Sequence, residues 1–398
     1  MPVQPTADSP PRRLLVRGVN WLGDAVMTTP ALQRLREALP GTRITLLTHE
    51  KLEALWQGHP SLDAVVPFNP GERPWSIARR LRGEKYDAAL VLPNSPRAGL
   101  EVWLAGIPQR MGYARPWRNW LLTRAVAPRP GYCRIRKRST VEINRLLRLH
   151  TDAPEPGMAN AQSPAAHQIH EYLHLAAVLG ANPVPLSPRL EISAAEIQQA
   201  ESTLFSLLRQ QQKEPVPGRP TIFLGLNPGA QYGPAKCWPA ESFAAVARAV
   251  SGRVENCQWL ALGSAADASL CSGIAQTAGG GVVNLAGKTS LRELMAVLKV
   301  CRALLTNDSG SMHVAAALGT PVVVPFGSTA SELTGPGLPG DPRHRLLHGG
   351  APCSPCFRRT CPIDLRCMTS ITPSRVIESV LQVLSQEQPA RGRVARVL

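Results

Sequence analysis

Arg302-Ala-Leu-Leu-Thr-Asn-Asp-Ser-Gly-Ser-Met-His-Val-Ala-Ala-Ala-Leu-Gly-Thr320 decides how this chain is read. A strand-like apolar run stops at Asn307 and Asp308. Small residues follow, Ser309 and Gly310 among them, and then an Ala-rich stretch that carries His313. This is strand, tight turn, helix. The first backbone N–H groups of such a helix have no partner within it and form a ready anion seat. Asp308 adds a carboxylate at the same mouth, suited to sugar hydroxyls rather than to phosphate. A phosphate seat beside a hydroxyl acceptor is what a sugar-nucleotide site needs.

The same rhythm extends outward in both directions. Ile222-Phe-Leu-Gly-Leu226, Trp259-Leu-Ala-Leu-Gly263, Val282-Val-Asn-Leu285 and Val322-Val-Val-Pro-Phe-Gly327 read as strands, the last closing a sheet, with helices from Glu241, over Leu291–Val300 and over Arg375–Leu384. Upstream, Leu14–Gly18, Ile44–Thr48, Ala64–Val66 and Ala88–Leu92 are strands. Helix-like patterns run from Asp24 to Leu39, near Ala78–Arg82, over Glu142–Leu149 and over Gln168–Leu179, and Pro30 must interrupt the first. Strands alternating with helices predict an α/β chain with parallel, doubly wound sheets. Prolines 183, 185, 188, 215, 217 and 220 bracket a polar, Gln-rich helix that reads as a hinge. The expected organisation is a disordered N-terminus (1–11), a Rossmann-like domain (12–185), a linker (186–219), and a second Rossmann-like domain (220–372) with a Cys-rich loop at 353–367. A final helix and basic tail occupy 373–398. Ligands in such sheets lie beyond the carboxyl ends of the strands.

At 398 residues the chain is long enough for two domains, and 44% hydrophobic content supports full cores. The net charge of +16 favours anionic partners such as nucleic acid, an anionic membrane face or phosphorylated substrates. It is equally the charge of an ordinary basic surface. Arginines are spread along the chain rather than clustered in a stripe, which argues against nucleic acid. No apolar run approaches the roughly 18 residues needed to cross a bilayer, and Met1–Arg13 has no signal-peptide core. A cytoplasmic protein with mostly reduced cysteines is expected.

Four further stretches could carry chemistry. In Gly18-Val-Asn-Trp-Leu-Gly-Asp24, Asp24 is either a helix N-cap, the commoner use of Asp at such a mouth, or a general base facing a cleft. The glycines do not match the dinucleotide fingerprint, which argues against a nicotinamide enzyme. Asn227-Pro-Gly-Ala-Gln-Tyr-Gly-Pro-Ala-Lys-Cys-Trp-Pro239 follows a strand. Gly229 could admit a ligand close to the backbone and Lys236 could place a cation on a phosphate, or the loop is simply solvated. Gly263 and Ser264 either cap a helix or line a base or ribose pocket, and His313 is either a buried structural residue or a ligand contact. Cys353, Cys356, Cys361 and Cys367 resemble a small metal knuckle, with structural zinc, free thiols and a disulfide all open.

Asn20–Leu32 resembles the N-terminal motif of the bacterial lipopolysaccharide heptosyltransferases, glycosyltransferase family 9. Thr306–Ala317 matches that family's strongest signature, and Val91–Ser95 and Gly233–Pro239 are similar to its second-heptose branch. The likeness runs in order from Leu14 to Leu384. It implies a GT-B fold, two Rossmann-like domains facing across a cleft. It also implies inverting transfer of L-glycero-D-manno-heptose from ADP-heptose to the first heptose of the Kdo–lipid A inner core, with no cofactor required for catalysis. Asp24 would then be the base rather than a cap, and the donor would meet Gly229, Lys236, Gly263, Ser264, Asp308, Ser309, Gly310 and His313. Asn20, Trp21, Asn94 and Arg115 would face the acceptor, with Arg110 and Arg118 as further anion contacts. Another heptose or nucleotide sugar is the alternative. Cys237 stands where relatives often have Arg, which removes one cation from the diphosphate. The basic charge would hold the enzyme peripherally on the cytoplasmic face of the inner membrane, where Trp103, Trp117 and Trp120 could touch lipid, line an acceptor wall or sit in the core.

Overall fold

A computed structural model describes residues 10–149, 164–211 and 219–386. Most of the expected N-terminal disorder (1–9) and the basic tail (387–398) lie outside the described residues.

The first half runs β1 (Arg13–Arg17), α1 (Leu22–Met27), α2 (Thr29–Ala38), β2 (Arg43–His49), β3 (Ala64–Phe68), α3 (Pro74–Arg82), β4 (Ala88–Val91), α4 (Pro96–Leu104), β5 (Gln109–Tyr113), β6 (Arg124–Val126), α5 (Thr140–Leu149) and α6 (Ile169–Ala177). A long α7 (Ala194–Gln210) leads into β7 (Ile222–Asn227), α8 (Ala240–Ser251), β8 (Cys257–Ala261), α9 (Ala268–Ala278), β9 (Val282–Asn284), α10 (Leu291–Val300), β10 (Ala303–Thr306), α11 (Gly310–Ala317), β11 (Val322–Phe326), α12 (Ser331–Thr334), β12 (Arg345–His348), α13 (Arg366–Thr369) and α14 (Pro373–Ser385).

Each half holds a six-stranded sheet, β3-β2-β1-β4-β5-β6 and β12-β11-β10-β7-β8-β9, and every pairing is parallel. Renumbered within its half, the second sheet has the same order as the first. Strands covered on both faces read as continuous apolar runs, and β1, β4, β10 and β11 are almost wholly buried. Each sheet reverses its order once, between β1 and β4 and between β7 and β10. Ligands of such sheets bind outside the strand ends at that reversal.

Pro30 does interrupt the first helix: α1 ends at Met27 and α2 restarts with Pro30 in its first turn, where a missing N–H costs nothing. Two expectations need correction. The strand at 322–327 does not close its sheet, because β12 adds a further edge beyond it; its sequence, Arg-Leu-Leu-His, is too short and polar to stand out. The Gln-rich helix is not a bare connector. A Ser193–Glu196 capping box starts α7, Leu204 and Leu208 are buried, Glu196 pairs with Arg292 of α10, and Leu190 N–H donates to Ala317 O. One apolar cluster runs from β1 and α2 through α6 and α7 to α10 and α11, so the two halves share an interior.

Candidate active site

The loops after β1 and β4 bring Asn20, Trp21, Asp24 and Asn94 to one sheet edge, and Arg115 follows the neighbouring β5. In the second half, the loops after β7, β10 and β8 bring Gly229, Lys236, Asp308, Ser309 and Ser264 to the matching edge. The two edges meet where α1 packs on α11.

That seam is made by two glycines. A Cβ on Gly23 would lie 2.7 Å from the His313 ring, and one on Gly310 would lie 2.9 Å from the Leu22 side chain. Each helix therefore receives a side chain from the other in place of a Cβ. His313 is buried, and burial holds its ring neutral with a pKa of about 4. Its ring packs in the seam against Gly23.

The seam fixes Asp24. Asp24 is not the N-cap: Trp21 holds that position, its backbone extended and its side chain making no cap bond, while Asp24 lies in the first turn. Its pKa rises to about 6, chiefly through burial; the Lys236 ammonium opposes the rise and the Asp308 carboxylate adds to it. A carboxyl group raised this far is well matched to proton abstraction near neutral pH.

Opposite stands the β10–α11 turn. Asp308 is buried, and its Oδ2 accepts from Lys236 Nζ at 2.6 Å and from Thr329 Oγ1 at 2.6 Å. Lys236 also lies 4.8 Å from the Tyr232 ring centre, and Tyr232 donates to Phe357 O. Lys236 thus reaches Asp308 first and retains N–H donors for a ligand. Asn307 Nδ2 donates to Pro228 O and its Oδ1 accepts from Trp238 N–H, while Asn227 Nδ2 donates to Ser311 Oγ. These bonds tie the 227–239 loop to the turn. Ser309 is the N-cap of α11 but makes no cap bond, its hydroxyl meeting Thr306 Oγ1 instead. No side chain caps the first turn of α11.

Several expected contacts have other work. Gly229 and Gly263 both pack against Asp267, where a Cβ would come within 2.5 and 2.9 Å of it, and Ser264 donates to Asp267 Oδ2 from both N–H and Oγ. Ser264 and Asp267 thus form a capping box, and Asp267 is a residue to which the sequence reading gave no role. Arg110 is spent on the carbonyls of Leu121 and Ile107. Arg118 is fully buried with one bond to Pro93 O. Neither is placed to meet an acceptor, whereas Arg115, between the Tyr113 and Tyr132 rings, stays half-buried. Asn20 Oδ1 accepts from Arg17, itself held in the core by Glu101 at 2.8 Å. Trp21 and Asn94 are exposed. Cys237 is a half-buried thiol whose Sγ lies 4.0 Å from Gly233 O.

Cys353, Cys356, Cys361 and Cys367 line one small pocket as free thiols. Among the described residues no three His, Cys, Asp or Glu stand together as metal ligands, and no zinc is assigned.

The model of glycosyltransferase family 9 (heptosyltransferase) matches residues 158–366, more than half of the chain. The chain belongs to glycosyltransferase family 9. Lipopolysaccharide heptosyltransferase 2 of Escherichia coli K12 is 27% identical over 94% of this chain and 99% of the relative. The enzyme of that name from Salmonella typhimurium is 28% identical over the same shares. The solved E. coli ADP-heptose LPS heptosyltransferase II superposes with a TM-score of 0.70 at 26% identity, covering 94% of this chain and 98% of that one. The fold is accordingly GT-B, and as a family 9 member the protein is a glycosyltransferase.

Proposed function

We propose that this glycosyltransferase moves L-glycero-D-manno-heptose from ADP-heptose to the heptose of a heptosylated Kdo–lipid A core, inverting the anomeric carbon. The observation that carries the mechanism is the raised Asp24 carboxyl beside the α11 mouth. The full-length likeness to two curated enzymes named lipopolysaccharide heptosyltransferase 2 supports the substrate pair.

The donor diphosphate lies against the first turn of α11, with Lys236 beside it. The helix N-terminus and the ammonium stabilise the charge that grows on departing ADP. The Asp308 oxygen that takes no bond from Lys236 or Thr329 accepts from heptose hydroxyls. The acceptor enters along Asn20, Trp21, Asn94 and Arg115. Asp24 takes the proton from its attacking hydroxyl as the new glycosidic bond forms on the face opposite ADP. The reaction is placed on the cytoplasmic face of the inner membrane, where a lipid-borne acceptor is available, and nucleic acid has no part in it.

The test is ADP release with ADP-heptose and monoheptosylated Kdo–lipid A, in EDTA, for wild type and Asp24→Asn. The variant should be slower by about 10²–10⁴-fold, the usual worth of a positioned base, with ADP affinity kept. Absence of acceptor-dependent release by wild type would overturn the substrate pair. Full activity of the variant would leave Asp24 a structural residue only.

A further inference from the structure

Residues 102–141, one tenth of the chain, contain eight Arg, one Lys and no Asp or Glu, although Arg118 and Arg138 are buried and Arg129 and Arg136 pair with Glu171 and Glu142. The same stretch supplies five of the eleven large apolar side chains exposed among the described residues: Trp103, Trp117, Trp120, Ile135 and Val141. No part of the reaction described above uses any of them. The core position considered for the three tryptophans is ruled out by their exposure, 86% for Trp117 and 66% for Trp120.

The fold brings Trp103 and Trp120 together. The one-turn segment Asn119–Leu121 lies on α4, with Leu121 pressed against Gly99, and the Trp103 and Trp120 rings meet edge to face at 5.8 Å. Arg115 bridges the Tyr113 and Tyr132 rings and its N–H donates to Asn119 Oδ1, joining this segment to the loop that follows β6. That loop exposes Arg134, Ile135, Arg136 and Lys137 together. Trp117 has φ +70, in the left-handed region that a bulky residue seldom adopts. The chain is bent there in a way that holds the largest side chain out in water. A protein gains nothing in water from displaying indoles on a basic rim. Indoles are at home at the level of lipid headgroups, and Lys and Arg beside them are drawn to anionic lipid.

We propose that this surface, formed by the end of α4 and the segments 115–121 and 127–141, docks the enzyme on an anionic bilayer through Trp103, Trp117 and Trp120. The surface adjoins Arg115 at the first-half sheet edge, so a docked enzyme presents its acceptor side to the membrane. The inference rests on the proposed lipid-borne acceptor only for its purpose, and it is tested without that acceptor.

Full-length protein is floated with vesicles of phosphatidylcholine alone or with 30% phosphatidylglycerol, both free of lipopolysaccharide, the figure being set in the experiment at roughly the anionic content that gives a membrane an appreciable negative potential. Binding should require the anionic lipid and weaken with salt, and brominated acyl chains should quench tryptophan emission. The double variant Trp117→Ser/Trp120→Ser, both sites being exposed and outside the core, should lose about tenfold in vesicle affinity. Its melting temperature and its rate on a delipidated core-saccharide acceptor should not change. Equal vesicle binding by wild type and variant, or none by either, overturns the proposal while leaving the transfer reaction standing. A matching loss of rate on the delipidated acceptor also overturns it, because the indoles would then belong to the saccharide wall.

Discussion

The two sheet edges that face each other are built in opposite ways. Along the second-half edge the polar side chains are bonded within the edge: Lys236 and Thr329 to Asp308, Asn307 to the backbone of Pro228 and Trp238, Asn227 to Ser311, Ser264 to Asp267. Along the first-half edge Trp21 and Asn94 stand exposed, and Asn20 has a single bond to Arg17. The wired edge suits a small, highly charged donor whose diphosphate needs donors fixed before it arrives, since preorganised dipoles cost nothing to reorient. The open edge suits a large acceptor that brings its own shape. A substitution on the wired edge should therefore disturb folding and donor affinity together. One on the open edge should alter only how the acceptor is held.

The largest expected effect is at Lys236. Lys236→Met strands Asp308 in a buried site without its ammonium, and breaking such a pair costs about 3–5 kcal/mol. A clear fall in melting temperature should accompany weaker ADP binding in a calorimetric titration; weaker ADP binding at wild-type stability would mean that the pair is not part of the frame. Next is Gly23→Ala. Its methyl meets the His313 ring across the seam and should cost about 1–3 kcal/mol by overpacking, seen as an earlier urea midpoint with a lower kcat.

A third effect is read in pH. Asp24 must be ionised to act, and its pKa of about 6 places the acid limb there: kcat/KM should fall tenfold per unit below that value and level off above it. Because Lys236 lowers this pKa, Lys236→Met should move the limb to higher pH, linking the two edges in one measurement. The smallest effect is at Asn94→Ala, a few-fold rise in acceptor KM with melting temperature and ADP affinity unchanged. A loss of stability there would break the contrast between the edges.

How much of this the sequence disclosed follows the same division. The strand–turn–helix mouths were legible because apolar runs, turn residues and Ala-rich helices report local geometry, and α10 has the very limits its pattern predicts. Asp308 and Lys236 were legible as members of one site, but not as partners of each other. That pairing joins residues 72 apart through two loops. Asp24 could not be distinguished from a cap by spacing, since the sequence does not show that the helix starts earlier, with Trp21 at its N-cap. Gly229 and Gly263 looked like openings for a ligand, whereas they leave room for Asp267, whose Ser264-x-x-Asp267 spacing is a capping-box signature. Arg110 looked like an anion contact because a sequence counts charges without showing which carbonyls consume them, and Arg118 because a sequence does not show that its guanidinium is buried.

The meeting of α1 and α11 has a mechanical consequence. Two helices keyed together by glycines leave no room to slide, so any opening of the halves must turn about that contact as about a fulcrum. Points near a fulcrum travel least. Asp24 and the first turn of α11 would keep their spacing through such a swing, while Asn94 and Ser264, farther out on their sheets, would sweep the widest arcs. The jaws can part for a bulky guest without unmaking the small gap in which the bond is exchanged.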